Sequence, residues 1–207
     1  MVRDRRDEPE TVDEQAEALR NALVDDLDSG FAEVVRAYER IVYSVALGLA
    51  GSPADGEDLA AEAFLRAYRA LRGYDKARLH SLRLRPWLLT IVRNTARNRA
   101  RDARRRPLPP PPGPMRPVEE AAAGPSVEEA VERNDAQRRL GALLARLPDA
   151  QRLAVVLRHV VGLPTVEVAE VLGCPEGTAK SHVSRGLQRL RALALASGKE
   201  AHDDDRG

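Results

Sequence analysis

The chain has 207 residues, enough for one or two domains, with 31% charged side chains and a formal net charge of only +1. It contains no apolar run of about 18 residues, which excludes a membrane span. The single Cys174 excludes an internal disulfide framework and fits a reducing compartment. The start, MVRDRRDEPETVDEQ, lacks the apolar stretch of a signal peptide, so a cytoplasmic location is expected. All seven aromatic residues precede residue 88, so the C-terminal half must pack with Leu, Val and Ala, which favours small helices over sheet.

Net charge conceals segregation. Residues 1–28 hold four Arg against ten Asp or Glu, whereas residues 81–106 hold nine Arg against one Asp. The acidic segment 1–28 is expected to be a flexible extension, with a helical pattern only near its end at Ala18, Leu19, Leu23 and Leu27. Its acids suit either a solvated tail or a negative strip that competes with DNA for the basic segments.

Asp28 or Ser29 is expected to cap the first strong helix. Phe31, Val34, Val35, Tyr38, Ile41, Val42, Val45 and Leu49 follow helical spacing along it, and Gly51 ends it. Ser52-Pro53-Ala54-Asp55 has the form of a cap with Pro at the first helical position. The helix it opens runs to Leu71, with Leu59, Ala63, Phe64, Ala67 and Leu71 inward and Glu57, Asp58, Glu62, Arg66 and Arg69 outward. A loop spans 73–83. Pro86 then opens a third long helix through Trp87, Leu88, Ile91, Val92 and Ala96 into RNTARNRARDARRR. So many arginines exceed what a helix dipole needs and point to phosphate. Trp87 and Tyr74 are candidates to stack on single-stranded bases, and the plainer reading of Trp87 is a core residue.

Residues 107–125 contain eight prolines and read as an extended linker between two tethered units. Ser126 and Glu129 form a capping-box signature for a helix reaching Leu147, and Pro148 breaks it. Another helix spans 150–161 and closes at Gly162. Thr165–Leu195 then reads as a helix-turn-helix. In it Thr165 caps the first helix, Gly173 makes the turn, and Val183, Leu187, Leu190 and Ala194 face inward. Lys180, Ser181, His182, Ser184, Arg185, Arg189 and Arg191 face outward, with no acid between Thr178 and Gly198. Residues 198–207 are expected to form a frayed, disordered tail.

The four His are scattered, and no Walker loop or GxGxxG occurs. No catalytic site, metal site or cofactor is expected. The motifs EDLAAEAFLRAYRAL (57–71), RPWLLTIVRNTARNRARDARRR (85–106), LPDAQRLAVVLRHVVGLPTVEVAEVLG (147–173) and PEGTAKSHVSRGLQRLR (175–191) occur in that order, split by the proline linker. In this the chain resembles bacterial RNA polymerase sigma factors of the sigma-70 family, extracytoplasmic-function (ECF) type.

The resemblance implies an all-α protein of two small helical domains, sigma region 2 over 29–106 and sigma region 4 over 126–197. Glu57, Asp58, Glu62 and Arg66 would dock on core polymerase, whose clamp coiled coil and flap regions are the implied contacts. Trp87, Arg93, Asn94, Arg97, Asn98 and Arg101 would melt and read the −10 element, with Asn94 capturing a flipped base. Lys180, Ser181, His182, Ser184, Arg185 and Arg189 would read the −35 element. The linker would thread near the RNA exit path, and an anti-sigma factor would mask both domains. Ala61 stands where the family often has Gln, so that polymerase contact does not carry over, and Ala179 and His182 stand where it often has Val and Arg, so promoter preference does not carry over either. The rival is a free-standing helix-turn-helix regulator without polymerase docking, and a third class is an adaptor that does not need nucleic acid.

Overall fold

The computed structural model describes residues 8–105 and 139–203, and every regular element among them is helical. Five helices precede the linker: α1 (Glu8–Asp25), α2 (Leu27–Ala50), α3 (Pro53–Leu71), the short α4 (Lys76–His80) and α5 (Leu84–Arg105). After it come α6 (described over 139–145), α7 (Asp149–Val155), α8 (Thr165–Leu172) and α9 (Glu176–Asp203). The capping box at Ser126 and the linker 107–125 lie outside the described residues.

Residues 8–25, expected as flexible, are instead helical. Leu19 and Leu23 are buried where α1 lies along α2 and α4, and that apolar stripe outweighs the repulsion among its acids. The cap of α2 is Asp26 rather than Asp28 or Ser29: its Oδ1 accepts the Ser29 N–H at 2.8 Å. Asp28 is thereby left in the first turn, where it accepts the Tyr68 hydroxyl at 2.5 Å and pins α2 to α3. Gly51 adopts the left-handed conformation at φ 86°, and Ser52 Oγ caps α3 by accepting the Asp55 N–H at 3.2 Å. The expected loop at 73–83 contains α4, capped by Asp75.

Val34, Val42, Val45, Leu59, Ala63, Ala67, Leu71, Leu88, Leu89 and Val92 form the core under α5. Pairs of α2 with α3 and of α3 with α5 therefore hold α5 with one face in the core and Arg97, Arg101 and Arg105 outward.

The second unit centres on α7. The helix expected over 150–161 is α-helical only to Val155 and widens into a π-turn at Val156–Val160 before Gly162 (φ 79°). Thr165 is the first helical residue of α8, not its cap, since Pro164 occupies that position without a side-chain bond. Gly173 makes the left-handed turn to α9 at φ 62°. Gly186 sets how α9 crosses α7: a Cβ there would stand 2.6 Å from Val155 Cγ2 and 3.1 Å from the Gln151 carbonyl oxygen. Only glycine allows that approach.

The units are not merely tethered. In the structure α2 lies against α7 and the π-turn, and α5 lies against α8, so one continuous core runs through both.

Candidate nucleic-acid interface

Two faces carry the expected DNA chemistry. On α9, Lys180, Ser181, Ser184, Arg185 and Arg189 are exposed and His182 is half-buried. The opposite face packs through buried Ala179 and Gly186, with Val183, Leu187 and Leu190 partly covered. Ala194, expected inward, is exposed, because α9 there runs past the helices that cover its earlier turns. Lys180 reaches back to Glu176 at 2.9 Å, an exposed pair that competes weakly with a ligand. Donors thus line one side of a rigid helix, a form suited to the major groove.

The α5 face is more elaborate. Trp87, Asn94 and Arg101 recur on one side every two turns, joined by Arg97 and Asn98. The structure separates Trp87 from the rest by its role. Its Nε1 donates to the Tyr74 hydroxyl at 3.2 Å, and the two rings lie 6.1 Å apart. Arg78 stacks over Tyr74 at 3.7 Å. Trp87 is half-buried in this cluster, packed against Tyr74 with part of its ring exposed.

Asn94, Arg97 and Arg101 are exposed and Asn98 is half-buried. With Arg105 and Asp149 they line a cleft of 670 Å³. The Asn94 carboxamide is held by its neighbour: Arg93 Nε and Nη2 donate to Asn94 Oδ1 at 3.1 and 3.0 Å. Burial, then the nearby Arg97 charge, pull the Arg93 guanidinium below its ordinary pKa; Cys174 acts weakly the other way.

The acids expected to dock on polymerase divide. Glu57 and Asp58 are exposed on α3, as is Arg66. Glu62 is half-buried and already engaged. Arg66 Nη2 donates to it at 2.6 Å and Arg99 Nε at 2.5 Å, while Arg99 Nη2 also reaches the Asp58 carbonyl at 2.9 Å. Burial pushes the Glu62 carboxyl upward, but the bonds from Arg99 and Arg66 prevail and hold it below its ordinary value of 4.5. Arg99, which sequence reasoning did not single out, ties the two helices together. Its only signal was the run of arginines, which does not say which one turns inward.

Among the described residues no group of three or more His, Cys, Asp or Glu side chains could hold a metal, and no helix is long and apolar enough to cross a membrane.

An all-α body that carries a helix-turn-helix and, packed against it, an arginine-striped helix has the form of a two-site DNA-binding protein. Its two parts match known families in turn: Sigma-70 region 2 over residues 34–106 and Sigma-70, region 4 over residues 137–190. The chain is 29% identical over 168 residues to the ECF RNA polymerase sigma factor SigW of Bacillus subtilis, covering 78% of this chain and 87% of that one. It is 31% identical over 165 residues to the ECF sigma factor SigM of Mycobacterium tuberculosis, covering 79% and 76%. The sigma factor RpoE of Bartonella quintana, solved in complex with the anti-sigma factor NepR, superposes with a TM-score of 0.54 at 25% identity over 83% of this chain and 98% of that one. The chain belongs to the ECF sigma factors of the sigma-70 family.

Proposed function

We propose that this sigma factor directs core RNA polymerase to its promoters through three faces on separate helices. The exposed acids Glu57 and Asp58 of α3, with Arg66, meet core polymerase. Glu62 serves that face indirectly, by fixing α3 against α5. Asn94, Arg97, Asn98 and Arg101 of α5, with the free edge of Trp87, take the −10 element, and Arg93 orients Asn94. Lys180, Ser181, His182, Ser184, Arg185 and Arg189 of α9 take the −35 element. Residues 29–106, with α1 packed on them, and 126–197 form the two working domains, joined by the linker, and the protein acts in the cytoplasm without catalysing a reaction itself.

The observation that carries this reading is the α5 stripe. An amide side chain with both donor and acceptor sits amid exposed guanidinium groups, on a helix whose other face is core. Flipping a base out of duplex costs a few kcal/mol, and Asn94 has the groups to bond the extruded base while the arginines hold its phosphates. An anti-sigma partner fits the same reading, by likeness to the RpoE–NepR pair.

Run-off transcription with core polymerase over a promoter library tests the whole. Selected promoters with two separated elements are expected. Binding of the free chain to those sites without any dependence on polymerase would favour the free-standing regulator. The docking face is checked apart: Glu57→Ala with Asp58→Ala is expected to weaken capture of core polymerase while leaving the fold intact.

A further inference from the structure

The core beneath α5 stops halfway along the helix. Leu84, Leu88, Leu89, Val92 and Thr95 are buried, and no described side chain of α5 after Thr95 is. The last turns therefore project, with only Ala96 packed in part against the core. They also repel themselves, since Arg97, Arg101 and Arg105 follow one another at i, i+4 spacing. Burial does not fix their direction.

Arg99 supplies what the core does not. It stands about 140° around the helix from Asn94, on the side that faces α3. Its Nε donates to Glu62 Oε2 at 2.5 Å and its Nη2 to the Asp58 carbonyl at 2.9 Å. Those acceptors are one turn apart on α3, so the guanidinium fork spans a turn of that helix. The Asp58 carbonyl lends the lone pair that the helix ladder leaves free. Glu62 is itself held from the other side, where Arg66 Nε and Nη2 donate to Oε1 at 2.9 and 2.6 Å. Among the described residues neither Arg97 nor Arg101 bonds another helix, and Arg101 meets only its neighbour Asp102, at 4.0 Å.

We propose that Arg99 is a positioning residue for promoter opening: by gripping Glu62 and the Asp58 carbonyl it sets the direction of α5 beyond Thr95, where Asn98 and Arg101 meet the −10 strand. The proposal rests on the reading of α5 as the −10 face. Both acceptors belong to the helix whose exposed acids meet polymerase, so the tie indexes the DNA grip to the docked enzyme. The rival role is a phosphate contact, because the Arg99 side chain is 38% exposed. The two roles differ in what they need. A phosphate contact needs only the charge, which Lys also carries, whereas the tie needs both the fork and the Glu62 carboxylate.

Two measurements on the full chain test this. Amide hydrogen exchange is followed on the free protein. Arg99→Gln and Glu62→Gln are each expected to speed exchange over residues 96–105 and to leave residues 84–92 protected, which shows that the unit stays folded. Promoter opening is read as permanganate reactivity of −10 thymines, with core polymerase in excess so that weaker docking does not enter. Each variant is expected to lower opening roughly fivefold, the upper end for a partly exposed ion pair. The double variant Arg99→Gln, Glu62→Gln is expected to lose no more than either alone, as partners in one tie do. Arg99→Lys is expected to fall with Arg99→Gln. Full opening by Arg99→Lys, or losses that add in the double variant, would overturn the positioning role and make Arg99 a phosphate contact. Unchanged exchange in both single variants would overturn the tie itself. Should the wild-type holoenzyme open no promoter while exchange responds as expected, the −10 reading of α5 falls and the tie stands.

Discussion

Arg185 and Glu62 show how differently single residues yield to sequence. Arg185 lies on a helix face free of acids, and the periodicity that buries Val183 and Leu187 leaves it exposed, as observed. Arg185→Ala is expected to cost about 1–3 kcal/mol at the −35 position it reads and little elsewhere. Competition binding of holoenzyme over single-base −35 variants checks this, and an equal loss on every sequence means a phosphate contact instead. Glu62 also looked like an exposed acid by spacing. Its engagement depends on Arg99, which is far along the chain, and no local pattern announces such a pair. It has a pH consequence. The folded state keeps Glu62 ionised at lower pH than the unfolded chain does, because its pKa is lowered from 4.5 on folding. Its contribution to stability is therefore complete above that value and is lost as pH falls through the lowered one. Urea unfolding of wild type and Glu62→Gln from pH 6 to pH 3 is expected to show the two curves converging at the acid end.

At the scale of elements, caps and stripes were legible and close contacts were not. Ser52, Pro53 and Gly51 mark the α2–α3 turn as read from the chain, because each acts through its own backbone conformation. Only the end of α1 was legible as helix, because its six acids mask a short apolar stripe: Leu19 and Leu23 count fully only once α2 is there to cover them. Burial of this kind makes α1 structural. Leu23→Ala is expected to destabilise the first unit by about 2–5 kcal/mol in thermal unfolding, a loss no dispensable tail would give. The π-turn at Val156–Val160 likewise has no signature in a run of Val and Leu that fits an ordinary helix. Gly186 is the reverse case, a helix-interior glycine that propensity alone disfavours. Gly186→Ala gains about 1 kcal/mol of propensity but forces a methyl group into Val155 and the Gln151 carbonyl. A net loss of −35 affinity is expected with −10 oligonucleotide binding unchanged, because only the seat of α9 moves.

The whole molecule is where charge and packing meet. A proline-rich linker announces two units, and nothing in its composition says that they pack together. That depends on Gly48, Arg93 and Glu170, residues from distant segments whose pairing appears only in three dimensions. The charge segregation, in contrast, was open to view, and the structure gives it a location. Asp13 of α1 shares a cleft with Arg83 and Arg85 at the start of α5 and with Glu167 of α8. Asp13, Glu14 and Glu17 are exposed, so their charges act through solvent on ligands rather than on the core. Because Leu19 and Leu23 are core, deleting α1 would confuse loss of charge with loss of fold. Asp13→Asn, Glu14→Gln and Glu17→Gln together remove the field and keep the stripe. If the acids compete with phosphate for the basic helix, nonspecific DNA binding by the free chain strengthens in this triple variant at low salt. The gain fades as ionic strength rises toward about 1 M, where the Debye length contracts to about 3 Å. Filter binding over a salt series distinguishes this from a new direct contact, which would leave a gap between the two proteins at every salt concentration.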